Sequence, residues 1–338
     1  MAGLVAELAA SLEREAIPCC QWKGAAALER ALRGERDIDL LVRPADFARV
    51  EALLTQSGWK AARARFAREA PGTAHFFGYD PPHERLLHLH LHDRVLTGED
   101  WINSHALPLD AALLASPAAR YGLRVPTPAL EALLSVLKHA IRWGSLPDVV
   151  TAWLRPAPER AELARLLGDE QVEAAVRLLR EHCPALDEAT FRACAASLRA
   201  GRWSSERPRL AAAVRRALRP FVTYGPGARA AAYARVGLVR TRRLLDANRR
   251  DKAPRAGGAL IAFVGPDANA RAACVAQANH WLGQAFAVYA VAARGAGAAP
   301  ARDIVLCDGE PDACAPSLRI EARAPLDDAM RARIWAAL

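Results

Sequence analysis

GERDIDLLV (34–42) decides how the N-terminal part of this 338-residue chain is read. A glycine turn opens the stretch, an unbroken apolar run closes it, and Asp37 and Asp39 lie between, one residue apart. The apolar run predicts a strand over 37–42, and residues two apart on a strand share a face. Asp37 and Asp39 therefore point together while Ile38 and Leu40 enter a core. Two carboxylates this close repel each other unless a cation stands between them. A hard divalent cation whose shell is completed by substrate phosphates is one answer, and it points to phosphoryl or nucleotidyl transfer. A loop-to-strand edge carrying two solvated acids is the other.

Outward from this stretch the pattern alternates. Residues 1–15 read as an amphipathic helix that ends before Pro18, 18–22 as a short strand, and 25–32 as a helix that stops at Gly34. Pro44 starts and Gly58 ends a helix over 44–57, and strands follow at 73–80 and 85–93. This β-α-β-α-β order predicts a small mixed α/β domain over 1–107. The next segment, 108–252, reads as helical, with helices at 129–143, 159–167 and 169–181 set off by prolines. Thr127, Pro128 and Glu131 form a sound helix start. APRAGG (253–258) reads as a linker into a third segment, 253–338. There ALIAFVG (259–265) and DIVLCDG (303–309) are continuous apolar strands of the kind a parallel sheet buries, and 326–338 is a closing helix.

Composition narrows the class. With 52% apolar and 25% charged residues, the chain has the balance of a soluble globular protein. No apolar run reaches the ~18 residues that span a bilayer. The opening MAGLVAELAASLEREAIP carries acids at helical spacing, which predicts a helix and no leader. Seven cysteines without metal-type spacing fit a reducing cytoplasm, with Cys19 and Cys20 as core thiols. The net charge is +9, and lysine occupies only positions 23, 60, 138 and 252 among 46 basic residues. Much of that charge falls in 202–255, where it suits nucleic acid, anionic headgroups, a phosphorylated substrate or a solvated helix face. The few aromatics there (Trp203, Phe221, Tyr224, Tyr233) argue against a nucleic-acid stacking surface.

KGAAALERALRGERDIDLLV (23–42) resembles the signature of the DNA-polymerase-β-like nucleotidyltransferase superfamily. That signature is a glycine and a small residue on a turn, about a dozen residues, then Asp-x-Asp in an apolar strand. Within it the chain is most similar to uncharacterised nucleotidyltransferase-like proteins of bacterial surface-polysaccharide clusters, over roughly residues 1–145. The resemblance implies that Gly24 and Ala25 approach a nucleoside triphosphate, with Lys23 and Arg36 placed for its phosphates. It implies Mg²⁺ or Mn²⁺ at Asp37 and Asp39, transfer to an unidentified hydroxyl or phosphate acceptor, and polysaccharide-assembly proteins as partners.

One departure stands out. The superfamily usually supplies a third carboxylate from a later strand, and there this chain reads HLHLHD (88–93). Alternation places Leu87, Leu89 and Leu91 in the core and His88, His90 and His92 together on the other face. If that face is also the aspartates' face, His88 joins Asp37 and Asp39 as a metal ligand. His88 and His90 then become catalytic candidates, one able to act as base toward the acceptor. Imidazole suits Mn²⁺, Zn²⁺ or Fe²⁺ better than Mg²⁺. His75, His83, His139 and His280 read as structural or surface residues.

GALIAFVGPDANARAACVAQANHWLG (258–283) resembles the opening of thymidylate-kinase-like P-loop proteins, a strand running through glycine into a helix. Aligned from Gly265, Ala270, Arg271 and Ala272 stand where the intact motif has glycine, lysine and a hydroxyl residue. The alanines lose backbone freedom and the metal-holding oxygen, and arginine replaces a compact point charge with a planar fork. The expectation is a degenerate lobe without kinase activity. The chain is thus predicted to be an α/β multi-domain protein. It would comprise a small mixed-sheet nucleotidyltransferase-like domain, a helical middle region and a truncated parallel α/β P-loop-like C-terminal domain. Two functional readings stand: an active cytoplasmic nucleotidyltransferase, or an inactive pseudoenzyme serving as scaffold or regulator.

Overall fold

The computed structural model describes residues 3–23, 25–65, 71–98, 102–143, 157–201, 203–245, 252–292, 303–312, 315–322 and 325–338. The first part runs α1 (Gly3–Arg14), β1 (Cys19–Gln21), α2 (Ala25–Leu32), β2 (Ile38–Val42), α3 (Phe47–Gln56), β3 (Lys60–Ala64), β4 (Thr73–Asp80) and β5 (Arg85–His92). The alternation expected from the sequence is present. Gly34 makes the turn after α2 at φ +75, a conformation that favours glycine.

Two short hairpins follow: β6 (Val95–Thr97) with β7 (His105–Leu107), still inside the segment read as α/β, and, after α4 (Asp110–Leu114), β8 (Ala119–Arg120) with β9 (Leu123–Arg124), where the sequence reading expects helix. The middle region is otherwise helical: α5 (Pro128–Arg142), α6 (Ala157–Leu166), α7 (Asp169–His182), α8 (Glu188–Arg199), α9 (Arg207–Ala217) and α10 (Pro226–Leu245). The start of α5 is built as its sequence suggests, with the Thr127 hydroxyl accepting a hydrogen bond from the Leu130 amide.

The principal sheet has the order β1-β2-β5-β4-β3-β10, in which only the β2–β5 pair is parallel. Its last strand corrects the linker reading of 253–258. β10 (Lys252–Pro254) pairs with β3, Ala253 is fully buried, and the Arg255 amide continues the contact to the Ala61 carbonyl at 2.8 Å. An unpaired β3 edge would leave backbone groups open, and proline is tolerated on the outermost strand because its missing N–H faces away from the ladder.

The C-terminal part is a parallel sheet of order β12-β13-β11-β14, from β11 (Ala259–Val264), β12 (Val288–Ala292), β13 (Ile304–Asp308) and β14 (Leu318–Glu321). It carries α11 (Ala268–Leu282) and α12 (Asp328–Ala337). Among the described residues no helix is long and apolar enough to cross a membrane.

The two faces of the principal sheet are covered differently. One packs Ile38, Leu40, Leu87, Leu89 and Phe76 against Val5, Leu8, Val50 and Trp59 of the flanking segments. On the other face, Cys20, Trp22 and Leu41 join the core of the helical region. Further across that face, Phe77 and Tyr79 on β4 pack with Phe286, Trp281 and Trp335 of the C-terminal part. Between those two apolar zones the sheet exposes a polar row, and that row is where the candidate chemistry lies.

Candidate functional site

The parallel register of β2 and β5 sets Ile38 beside Leu89, Asp39 beside His90 and Leu40 beside Leu91. Paired residues in a sheet project to the same side, so the leucines of HLHLHD fall into the core and the histidines onto the aspartates' face. The antiparallel β4 then brings His75 opposite His90 and Phe77 opposite His88. Trp22 meets His92 edge-on at 5.4 Å, and Phe77 stacks on His88 at 4.2 Å, so aromatic side chains close the row at both ends.

The two acids differ. Asp37 keeps 47% of its side-chain exposure and accepts from His88 Nδ1 at 2.9 Å, with His90 Nε2 at 3.6 Å from its other oxygen. Asp39 keeps only 8%. Its Oδ1 receives the Lys23 ammonium at 2.5 Å and lies 3.2 Å from His92 Nε2 and 3.4 Å from His90 Nδ1. Its backbone amide donates to Gln21 Oε1 at 2.7 Å, and its carbonyl accepts from the Trp22 amide. Burial pushes the Asp39 carboxyl up, but the Lys23 charge and the His90 and His92 hydrogen bonds outweigh it and leave it well below the usual carboxylate range. Asp37 ends below that range as well, burial being overcome by the hydrogen bond and charge of His88.

The histidines shift in the opposite sense. Burial pushes His90 down to about 4 although Asp39 pulls it up, and burial and the neighbouring imidazoles drive His75 lower still. His92 is lowered, chiefly by burial. His105, buried near Arg229 and Arg215, is also held at about 4. These rings are neutral at pH 7, the form that ligates metals and accepts protons.

A pH effect on folding follows. The unfolded chain binds protons on these histidines from about pH 6.5 downward, whereas folded His90 and His105 stay neutral until about 4. The unfolded state holds more protons in that window, so stability falls as pH drops through it. The aspartates act elsewhere: their lowered values contribute stability above the ordinary carboxylate range that disappears only at more acid pH. Urea unfolding at pH 7 and pH 5 should show a loss on the order of 2 kcal/mol for each of the two imidazoles. Equal stability at both pH values would contradict the buried neutral rings.

The structure thus brings Lys23, Asp37, Asp39, His88 and His90 together. Lys23, expected on a phosphate, sits on Asp39. Gly24 lies outside the described residues, Ala25 begins α2, and Arg36 occupies the exposed turn before β2. The sequence reading missed His75. The alternation is present in TAHFFGYD (73–80), where Ala74 and Phe76 face one side of the sheet and His75 and Phe77 the other, but pairing with β5 places the ring beside His90. Two groups of ligand-bearing side chains converge in the row: His75, His88 and His90, and Asp39, His90 and His92.

In the C-terminal part, the strand–glycine–helix turn is closed by its own side chains. Asp267 caps α11, its carboxylate accepting from the Asn269 and Ala270 amides where a phosphate would otherwise meet a helix start. Arg271 turns back to Asp308 at 2.8 Å and to the Gly265 carbonyl at 2.5 Å.

No curated protein and no solved structure matches this chain. Residues 1–146 match the model of a family described as an uncharacterised nucleotidyltransferase. The matched span holds the whole polar row, and this part of the chain is a nucleotidyltransferase-like domain.

Proposed function

We propose that the N-terminal domain binds a nucleoside triphosphate with a divalent cation, Mg²⁺ or Mn²⁺, and transfers its nucleotidyl group to a hydroxyl or phosphate acceptor. The observation that carries this reading is the register that aligns Asp37 and Asp39 with His88 and His90 on one face. Asp37, Asp39 and His88 supply the oxygen and nitrogen donors such a cation takes, and when bound it offsets triphosphate charge. Lys23 is 31% exposed, so its ammonium can exchange Asp39 for a phosphate oxygen at the same rim. In the transfer, the acceptor oxygen bonds to the α-phosphorus, the bond to pyrophosphate breaks, and the acceptor's proton passes to a neutral imidazole of the row. The surface-polysaccharide setting of the acceptor rests on the family resemblance alone.

The pseudoenzyme reading has a specific observation behind it as well. With Lys23 on Asp39, the chain supplies its own cation at the pair, and the domain is neutralised without metal. For the C-terminal lobe, the self-capped helix and the tethered Arg271 support a degenerate P-loop without phosphotransfer. The experiment is turnover of α-labelled nucleoside triphosphates with Mn²⁺. Transfer of label to an acceptor or to water, with pyrophosphate released, supports the transferase. Absence of pyrophosphate release with every nucleotide and candidate acceptor favours the pseudoenzyme.

A further inference from the structure

The second ligand group in the row asks for an explanation that nucleotide chemistry does not supply. His75, His88 and His90 come from two neighbouring strands, and one ring nitrogen of each lies within 4.8 Å of the other two. His75 Nδ1 and His88 Nε2 stand 3.3 Å apart. Two nitrogens bound at about 2.0–2.1 Å to one tetrahedral ion stand about that far from each other. The rings meet His90 edge-on, with centroids at 4.4 Å from His75 and 4.3 Å from His88.

The free nitrogens of these rings are selected by their surroundings. His88 gives its Nδ1 to Asp37 at 2.9 Å, which leaves Nε2 turned to His75. His90 has its Nδ1 at 3.4 Å from Asp39, and its Nε2 is buried without a hydrogen-bond partner. Buried polar atoms are normally satisfied, so a cluster of this kind calls for one more group. A proton shared between His75 and His88 satisfies those two rings but not His90 Nε2. A cation at the centre satisfies all three. A carboxylate behind a ligating imidazole, fixing its tautomer, is the usual outer support of such a site, and here Asp37 stands behind His88 and Asp39 behind His90.

We infer that His75, His88 and His90 form a three-histidine site for a borderline transition-metal ion of the Zn²⁺ or Co²⁺ type, oriented by Asp37 and Asp39. Three imidazoles select such ions over Mg²⁺, which prefers oxygen. The fourth position is left to water or to Asp37, whose second oxygen is 3.6 Å from His90 Nε2. The site needs no nucleotide. It goes beyond the transferase reading and stands whether or not the domain turns over.

Co²⁺ reports both binding and coordination through its visible absorption. Titrating the metal-free 338-residue chain with Co²⁺ and no nucleotide should give one equivalent of a four-coordinate spectrum, reversed by Zn²⁺. His75→Ala should weaken binding by more than about a hundredfold, and Asp37→Asn, acting through His88, by about ten- to a hundredfold. His83→Ala, outside the cluster, should leave it unchanged. Circular dichroism confirms that each variant is folded, and His75→Asn replaces the alanine variant if that one is not. Six-coordinate Co²⁺, no stoichiometric binding, or binding indifferent to His75 would overturn the proposal. Mg²⁺-dependent nucleotide binding that survives in the His75 variant separates loss of this site from failure of the transferase reading.

Discussion

Asparagine at both Asp37 and Asp39 is expected to lower metal-dependent affinity for a nucleoside triphosphate by about a hundredfold or more. Hydrogen bonds and contacts to charged groups contribute about 1.5–3 kcal/mol each, and two such losses multiply to that factor. The single variants should separate binding from folding. Asp37 is nearly half exposed, and its charge is lost only to His88 and, at 3.6 Å, to His90, so Asp37→Asn should fold with near-native stability. Asp39 is buried under Lys23, His90 and His92. An amide there leaves the Lys23 ammonium without its counter-charge, and Asp39→Asn should cost about 2 kcal/mol, less than a fully buried pair would because Lys23 is partly solvated. Urea unfolding beside calorimetry of the same variants checks both halves. Full nucleotide affinity in a folded double variant would remove the row from the binding site.

Phe77→Ala is expected to destabilise the chain strongly. Phe77 is 5% exposed, stacks on His88 at 4.2 Å and meets Phe286 edge-on at 4.8 Å. Truncating a buried phenylalanine costs about 3–5 kcal/mol, from lost burial and the cavity left behind. The consequence reaches further than the midpoint of unfolding. Phe77 joins the candidate site to the core of the C-terminal part, so its loss frees the His88 ring and loosens the packing of that part on β4. A second unfolding transition, or protease cleavage within 252–292 at denaturant concentrations where the native chain resists, is the expected sign. A variant as stable and as cooperative as the parent would show that the contact carries no coupling.

How much of this was legible beforehand depends on the kind of information each element carries. GERDIDLLV and LLHLHLHD were readable because strand alternation alone sends aspartates and histidines one way and leucines the other. The relation between the two strands was not local: only the parallel register puts Asp39 beside His90. His75 shows the same limit, since its place follows from which strand pairs with β5 and not from its neighbours in sequence. The resemblance sets Lys23 toward a phosphate, whereas the fold sets its ammonium on the buried Asp39 carboxylate. Ala-Pro-Arg-Ala-Gly-Gly (253–258) has the composition of a linker, and the open edge of β3, a tertiary feature, makes a strand of its beginning. The C-terminal turn is the converse case: Ala270, Arg271 and Ala272 are plain in the sequence, while the Asp267 cap on the helix start and the Asp308 partner of Arg271 are set by the fold.

The central claim is that the Asp37–Asp39–histidine face receives a nucleoside triphosphate together with a divalent cation. Calorimetric titration of the 338-residue chain with each nucleoside triphosphate, in Mn²⁺ or Mg²⁺ and again in chelator, tests it most directly. The account predicts saturable binding that requires the cation and disappears in the Asp37→Asn/Asp39→Asn variant. Binding that persists in chelator, or no binding of any nucleotide with either metal, would contradict it.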